Sequence, residues 1–372
     1  MTSEIPQLLC FEGNYCQEIL LCFHCSYCTF ETILKQGLPN LQSFIKEHQD
    51  EIILLADKHT LEECYPLLGE ELPHFIVPYG EGYKNLNSCE YIWKKLAELN
   101  ATRQTILLCL GGGVLCDMGA FAGACYQRGM RVVLAPTSLL AMVDASTGGK
   151  TGVNFLGFKN YIGLFAKAEE TFICTEFLET LPYEERVNGY VEMLKHGLIA
   201  DKEHYDIVKM LFLKENEKLN TSLIFDSIAI KQKHVEQDFK DEGIRKRLNF
   251  GHTIGHAIES HSLHINDENE SLSHGVSVAI GMLAESYIST KVAGLSAEEN
   301  HEISLVLQRL LSTLEEDIPT IDELLPYLQK DKKNDGEGIN FSLLRSIGDC
   351  KQDYTVSVDL IKESLDYIRK LK

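Results

Sequence analysis

Short apolar runs alternate with helical periodicities along the first half of the chain. Ile52–Ala56, His74–Val77, Thr105–Leu110 and Arg131–Leu134 are strand-length and largely apolar, while Cys89–Leu99 repeats its apolar residues at helical spacing. This alternation predicts an α/β nucleotide-binding domain over residues 1–168. Beyond it the periodicity is almost wholly helical: Glu185–Ile199, Tyr205–Leu211, Ser222–Asp238, Arg247–Ser260, His274–Val292, Ala297–Leu311, Ile321–Gln329 and Val358–Leu371. An all-α second domain over residues 169–372 follows. There are no internal repeats. Asn266–Ser273 reads as a polar loop, and the charged Lys330–Gly338 as a loop expected to fold over a site when ligand binds.

The strand Thr105–Leu110 runs straight into Gly111-Gly112-Gly113, and Val114–Phe121, containing Asp117, opens a helix. Strand, glycine turn and helix start together let backbone N–H groups approach a diphosphate, helped by the helix dipole. GGGxxxD differs from GxGxxG, and a plain tight turn in an α/β sheet carries similar glycines. After Arg131–Leu134 comes a loop-rich stretch with Thr137-Ser138, Asp144, Gly148-Gly149-Lys150-Thr151 and Lys159-Asn160. Its hydroxyls, lysines and amide suit a polyhydroxylated, phosphorylated ligand.

Arg245, Asn249, His252 and His256 stand three or four apart, which places them on one face of a helix, and His274-Gly275 follows a polar loop. Glu192 and His196 form a second pair four apart. The spacing allows a closed four-ligand metal site, and equally three ligands with an open catalytic position.

Taken in order, several motifs resemble the 3-dehydroquinate synthases, a family of the sugar phosphate cyclases. They are Gly112–Asp117, Tyr126-Gln-Arg128-Gly129, Pro136–Leu140, Val143-Asp144 with Gly148–Thr151, Lys159-Asn160, Leu178–Pro182, Glu192–Lys195, and Leu248–His256 with His274-Gly275. The likeness runs from about Asp57 to Lys333 and extends more distantly to glycerol and iron-containing alcohol dehydrogenases. It implies a Rossmann-like NAD-binding domain followed by a helical metal- and substrate-binding domain. The reaction it implies is conversion of 3-deoxy-D-arabino-heptulosonate 7-phosphate to 3-dehydroquinate and phosphate, a step of the shikimate pathway. That reaction proceeds by transient NAD oxidation, phosphate elimination, re-reduction and aldol closure.

The resemblance also implies roles residue by residue. One divalent ion, zinc or cobalt, would fall to Glu192, His252 and His274, leaving His256 to the substrate and His196 outside the site. NAD contacts would fall on Asp57, His59, Glu81, Lys84, Gly111, Gly112, Gly113, Asp117, Thr137, Ser138, Lys159, Phe177, Leu178 and Thr180. The substrate would meet Asp144, Lys150, Asn160, Lys195, Lys231, Arg245, Asn249, His256 and Lys332. Arg128 would reach it from a subunit edge, which makes a homodimer the expected form. The chain departs from the family pattern at Cys116, Ser138, Cys174, Glu184 and Val276-Ser277, and its loop His261–Ser273 is longer. None of these changes removes an implied ligand or cation.

A formal charge of −20 argues against nucleic acid or an anionic membrane as partner. An anionic substrate would need the cations at Arg128, Lys150, Lys195, Lys231 and Arg245 to reverse that field locally. Met1–Pro6 carries no basic leader, and the 12 cysteines read as reduced thiols, so a cytoplasmic protein is expected. Cys22, Cys25 and Cys28, with Cys16 nearby, have a spacing that could hold zinc or an iron–sulfur cluster, but no second knuckle complements them. Two other functions compete: a sugar phosphate cyclase acting on a substrate without a carboxylate, such as a 2-epi-5-epi-valiolone synthase, and a net polyol dehydrogenase. Retention of Lys231, Asn249, His256 and Lys332 favours the dehydroquinate reaction over the first. The number of anion-seeking cations favours it over the second.

Overall fold

The computed structural model describes residues 33–214, 219–265, 271–311, 317–329 and 338–372. Lys332, most of the charged loop and the Cys16–Cys28 cluster lie outside the described residues. The first half contains strands β1 Ile33–Gln36, β2 Ile52–Ala56, β3 His74–Ile76, β4 Ile106–Gly111, β5 Arg131–Pro136, β6 Lys150–Phe155, β7 Phe158–Phe165 and β8 Glu170–Ile173. Helices α1 Leu38–Glu47, α2 Lys58–Glu63, α3 Leu86–Glu98 and α4 Gly113–Cys125 are set among them. Six strands form one parallel sheet in the order β1-β8-β5-β4-β2-β3, while β6 and β7 make a separate antiparallel hairpin.

Every residue of β2 and β4 is buried, as expected of central parallel strands covered on both faces. Ile53, Leu55, Leu107 and Cys109 point into a core with Ile92 of α3 and Met118 of α4. The alternate residues Leu54, Ala56, Leu108 and Leu110 join a second core that continues through Val191, Leu194 and Ile280 into the helical half. The sheet therefore shares its core with the helices. From β2 the chain goes outward to β3, and from β4 it goes the other way to β5. The crevice at the C-terminal ends of β2 and β4 is thus the topological switch point, where ligands of open α/β sheets bind.

The second half holds α5 Tyr183–Ala200, α6 Lys202–Leu213, α7 Thr221–Gln237, α8 His252–Ile265, α9 His274–Val292, α10 Ala297–Leu311, α11 Ile321–Leu328 and α12 Val358–Leu371. It also contains an antiparallel hairpin, β9 Ile339–Ser346 with β10 Asp349–Val356, which the helical reading passed over. No helix among the described residues is long and apolar enough to cross a membrane.

The expected single helix over Arg247–Ser260 is broken. Ile244–Asn249 is a 3-10 turn, Gly251 turns the chain at φ 79°, and α8 begins at His252. Glycine is required here twice over, because a Cβ at Gly251 would stand 2.3 Å from the Met282 side chain. Gly281 of α9 fits against the same turn so closely that its Cβ would lie 1.9 Å from the Gly251 carbonyl oxygen. Glu285, one helical turn further along α9, accepts the N–H groups of Gly251 (2.6 Å) and Ile254 (3.1 Å), satisfying the start of α8.

Candidate metal and nucleotide site

Three elements bring Glu192, His252 and His274 together. Glu192 lies mid-way along the buried face of α5, His252 opens α8 and His274 opens α9. Glu192 Oε1 stands 3.5 Å from His252 Nε2 and 3.4 Å from His274 Nε2. A tetrahedral ion with bonds of about 2.0–2.2 Å separates its ligands by about 3.3–3.6 Å, so these spacings suit one. His252 Nδ1 lies 3.1 Å from the Phe250 carbonyl. A carbonyl can only accept, so the proton sits on Nδ1 and the Nε2 lone pair is left for a metal. Both Glu192 oxygens are buried without an ordinary hydrogen bond, although the Lys195 ammonium lies against Oε2. Burial works to raise the Glu192 carboxyl, but Lys195 and His252 hold it well below the usual range. Burial likewise opposes a charged His274, yet Glu259 and Glu192 push it up to about 10. The carboxylates that favour a proton there would equally favour a cation, and a carboxylate with two imidazoles is a donor set for zinc or cobalt.

His196 has a different environment. Its Nδ1 is 2.8 Å from Ser227 Oγ, and its Nε2 stands 3.8 Å from Asp144 Oδ1. Asp144, Glu192 and His196 also lie close enough to hold an ion, as do His256, Glu259 and His274. His256 is exposed beside the first triad, its ring centroid 4.9 Å from that of His252. It shares a cavity of about 210 Å³ with Asn249, Thr253 and Asp241.

The cations expected to meet substrate approach this cleft, each already facing an acceptor. Lys231 donates to Asp144 Oδ1 (2.7 Å) and to the Asp144 carbonyl (2.5 Å). Burial works against the Asp144 carboxylate, but Lys231 and then Lys195 hold its pKa well below the ordinary value. Lys150, half exposed, pairs with Asp241 at 2.8 Å. Arg245 is buried and donates to the carbonyls of Phe239 (2.7 Å) and Gly148 (3.0 Å). Gly148, at φ 99°, leaves room for it, since a Cβ there would be 2.7 Å from Nη2. The cleft is therefore not a bare cationic patch: carboxylates stand among its lysines. Of the described cations expected to meet substrate, Arg128 alone is not brought in. It is exposed beyond the far end of α4, whose 13 residues carry the chain about 20 Å from the glycine turn.

The residues expected to contact NAD lie at or after the C-terminal ends of the sheet strands β2, β3, β4, β5 and β8, with Lys159 on the β6–β7 hairpin. Gly111 ends β4, and Gly112 precedes the first turn of α4. Asp57 follows β2 and caps α2 by accepting the Thr60 N–H at 2.9 Å. His59 is exposed against the Tyr79 ring, 4.7 Å between centroids. Thr137 N–H donates to the Gly111 carbonyl (2.9 Å), and Ser138 Oγ accepts from Ala141 N–H (3.2 Å). Cys116 is buried, its thiol 3.4 Å from the Gly111 carbonyl. Lys84 bridges Asp117 Oδ2 and Asn160 Oδ1, both at 2.6 Å. Lys159 reaches Glu259 (2.6 Å) and Glu81 (3.5 Å). Phe177 is buried and Leu178 half-buried in the 3-10 turn after β8, and Thr180 is exposed just beyond. Lys159 and Asn160 sit on the β6–β7 hairpin, in a stretch that reads as loop because glycines and hydroxyls interrupt its alternation.

Two acidic partners escaped the sequence reading. Glu259 stands seven residues after His252, on the same face of α8, a spacing that could have flagged it. Asp241 lies in a charged turn whose sequence gives no such signal.

The fold is shared with solved sugar phosphate cyclases. It superposes on the 2-epi-5-epi-valiolone synthase of Streptomyces hygroscopicus, solved with NAD⁺ and Zn²⁺ bound, with a TM-score of 0.81 at 22% identity, covering 94% of this chain and 100% of that one. A 2-deoxy-scyllo-inosose synthase complexed with carbaglucose-6-phosphate, NAD⁺ and Co²⁺ gives 0.78 at 24% identity, covering 91% and 96%. The family models for the 3-dehydroquinate synthase N-terminal and C-terminal regions match residues 74–188 and 189–334. The 3-dehydroquinate synthase of Parabacteroides distasonis is 40% identical over 346 residues, which is 91% of this chain and 97% of that protein. The chain belongs to the 3-dehydroquinate synthase family.

Proposed function

We propose that the chain converts 3-deoxy-D-arabino-heptulosonate 7-phosphate to 3-dehydroquinate and phosphate, using NAD and one divalent ion. The observation that carries this reading is the meeting of the Glu192/His252/His274 triad with Asp144, Lys195 and Lys231 beside the nucleotide crevice. A simple polyol dehydrogenase has no use for so many anion-binding groups. Glu192, His252 and His274 hold the ion, and Gly111–Gly113 with the start of α4 receive the diphosphate. When bound, NAD supplies a reversible hydride acceptor and the ion a Lewis acid beside the substrate hydroxyl. Arg245, fixed by two carbonyls, presents its remaining N–H groups to the substrate carboxylate. Lys150, Lys195, Lys231, Asn160 and Asn249 orient the remaining polar groups, and His256 stands at the mouth where it can exchange a proton with the substrate. Arg128, exposed beyond the far end of α4, completes the site from a second copy, so the active form is a homodimer. Holding an acyclic chain near its closing shape contributes up to roughly 7–11 kcal/mol to such a reaction.

The test is phosphate release from the heptulosonate phosphate with NAD far below stoichiometric. Turnover without accumulation of NADH is expected. Steady reduction of NAD⁺ by a simple polyol overturns the cyclase reading. Turnover only of sugar phosphates without a carboxylate assigns the chain to another cyclase.

A further inference from the structure

His274 faces a carboxylate from each ring nitrogen. Nε2 is 3.4 Å from Glu192 Oε1, and Nδ1 is 3.4 Å from Glu259 Oε1. Glu259 itself is only 3% exposed, and the same Oε1 receives the Lys159 ammonium at 2.6 Å. Lys159 continues to Glu81, whose Oε1 accepts from Asn154 Nδ2 at 2.8 Å. An unbroken polar chain thus runs from the metal triad through α8 to the hairpin on the nucleotide side. The two histidines are held differently. His252 is fixed by a carbonyl two residues away in its own turn, while His274, the first residue of α9, depends for its outer nitrogen on a side chain from another helix.

We propose that Glu259 is a positioning residue: it orients His274 for the metal and holds Lys159 for the cofactor, so that one carboxylate sets the geometry of both. The inference rests on the reading of His274 as metal ligand and Lys159 as NAD contact. The physical reason is general. A metal-bound imidazole whose other N–H meets a carboxylate keeps the correct tautomer and ring angle and becomes a better donor. Here the buried carboxylate needs cationic or N–H partners on both sides, and it has one from each half of the site. The competing role, in which Glu259 does no more than neutralise Lys159, touches the cofactor alone.

The experiment uses the full chain, stripped of metal, as wild type, Glu259→Gln and Glu259→Ala. Co²⁺ binding is followed by its visible absorption and NAD⁺ binding by calorimetry. Thermal melts identify the folded variants, and the near-isosteric Gln variant serves if the Ala variant does not fold. Expected is a loss of Co²⁺ affinity of about 10- to 100-fold, the range for outer carboxylates. It should come with an altered Co²⁺ spectrum and weakened NAD⁺ binding in the same variants. A folded variant with wild-type Co²⁺ affinity and spectrum overturns the inference, even if NAD⁺ binding falls. Wild-type protein that takes up no Co²⁺ overturns the metal reading and this inference with it.

Discussion

Arg245 and His274 give the sharpest expectations at the scale of single residues. Arg245 is anchored by the Phe239 and Gly148 carbonyls before any ligand arrives, so its substrate-facing N–H groups are aimed in advance. Arg245→Ala should lower kcat/KM by the equivalent of about 2–5 kcal/mol, with a much smaller loss on an analogue lacking the carboxylate. Equal losses on both compounds would show that Arg245 serves only to tie its two loops together. His274→Ala should remove turnover while circular dichroism and melting temperature stay close to wild type, because its ring is 24% exposed and opens a helix instead of filling the core. Unfolding of this variant would contradict that. At this scale the sequence was legible in residue types and opaque in partners. Imidazoles and cations announce themselves, but that Lys150 pairs with Asp241, or Lys84 with Asp117, depends on folds of the chain 91 and 33 residues apart.

Elements explain why Gly112 and Gly281 answer to different constraints. A Cβ at Gly112 would meet only Ser138 Oγ, at 3.6 Å, and its φ of −70° suits any residue. Gly112→Val should therefore fold normally and lose NAD⁺ affinity, measured by calorimetry; unchanged affinity would remove the close-approach argument. Gly281→Ala is the reverse case, since its Cβ would strike a backbone oxygen at the crossing of α8 and α9. It should destabilise by about 1–3 kcal/mol or more in urea unfolding. Beneath that crossing, burial pushes Glu285 up to about 8 from 4.5, against the pull of the Ile254 and Gly251 N–H groups. The folded chain then binds this proton more tightly than the unfolded one. Its contribution to stability is complete below about 4.5 and is lost as pH rises toward about 8. Glu285→Gln should flatten that slope in unfolding midpoints taken across the window, and an unchanged slope would refute it. Long periodic helices and apolar strands were readable because their pattern is local. The break at Gly251 was not, because periodicity continues through it and only the packing of Met282 and Gly281 reveals the turn. The β9–β10 hairpin was missed for a related reason: the four consecutive residues Phe341–Leu344 of β9 are all buried, so the strand lacks clean alternation.

At the scale of the whole molecule, composition predicted a balance that the structure strikes differently. In a chain of charge −20 the clustered cations are expected to reverse the field locally around an anion. Instead Lys84, Lys150, Lys159, Lys195 and Lys231 each face a carboxylate, those of Asp117, Asp241, Glu259, Glu192 and Asp144. Periodicity could name the two halves of the chain but not their shared core, since it tells which face of an element is apolar and not what covers it. The paired cleft has a kinetic consequence. With its lysines internally neutralised, the site projects little attraction into solvent, and an approaching phosphate meets mainly the net negative field of the surface. Added salt, which shortens the screening length to about 8–10 Å near physiological strength, should then speed association instead of slowing it. Stopped-flow capture of the substrate at rising ionic strength would read this directly, and an on-rate that falls with salt would mean the lysines exchange partners early enough to draw the substrate in.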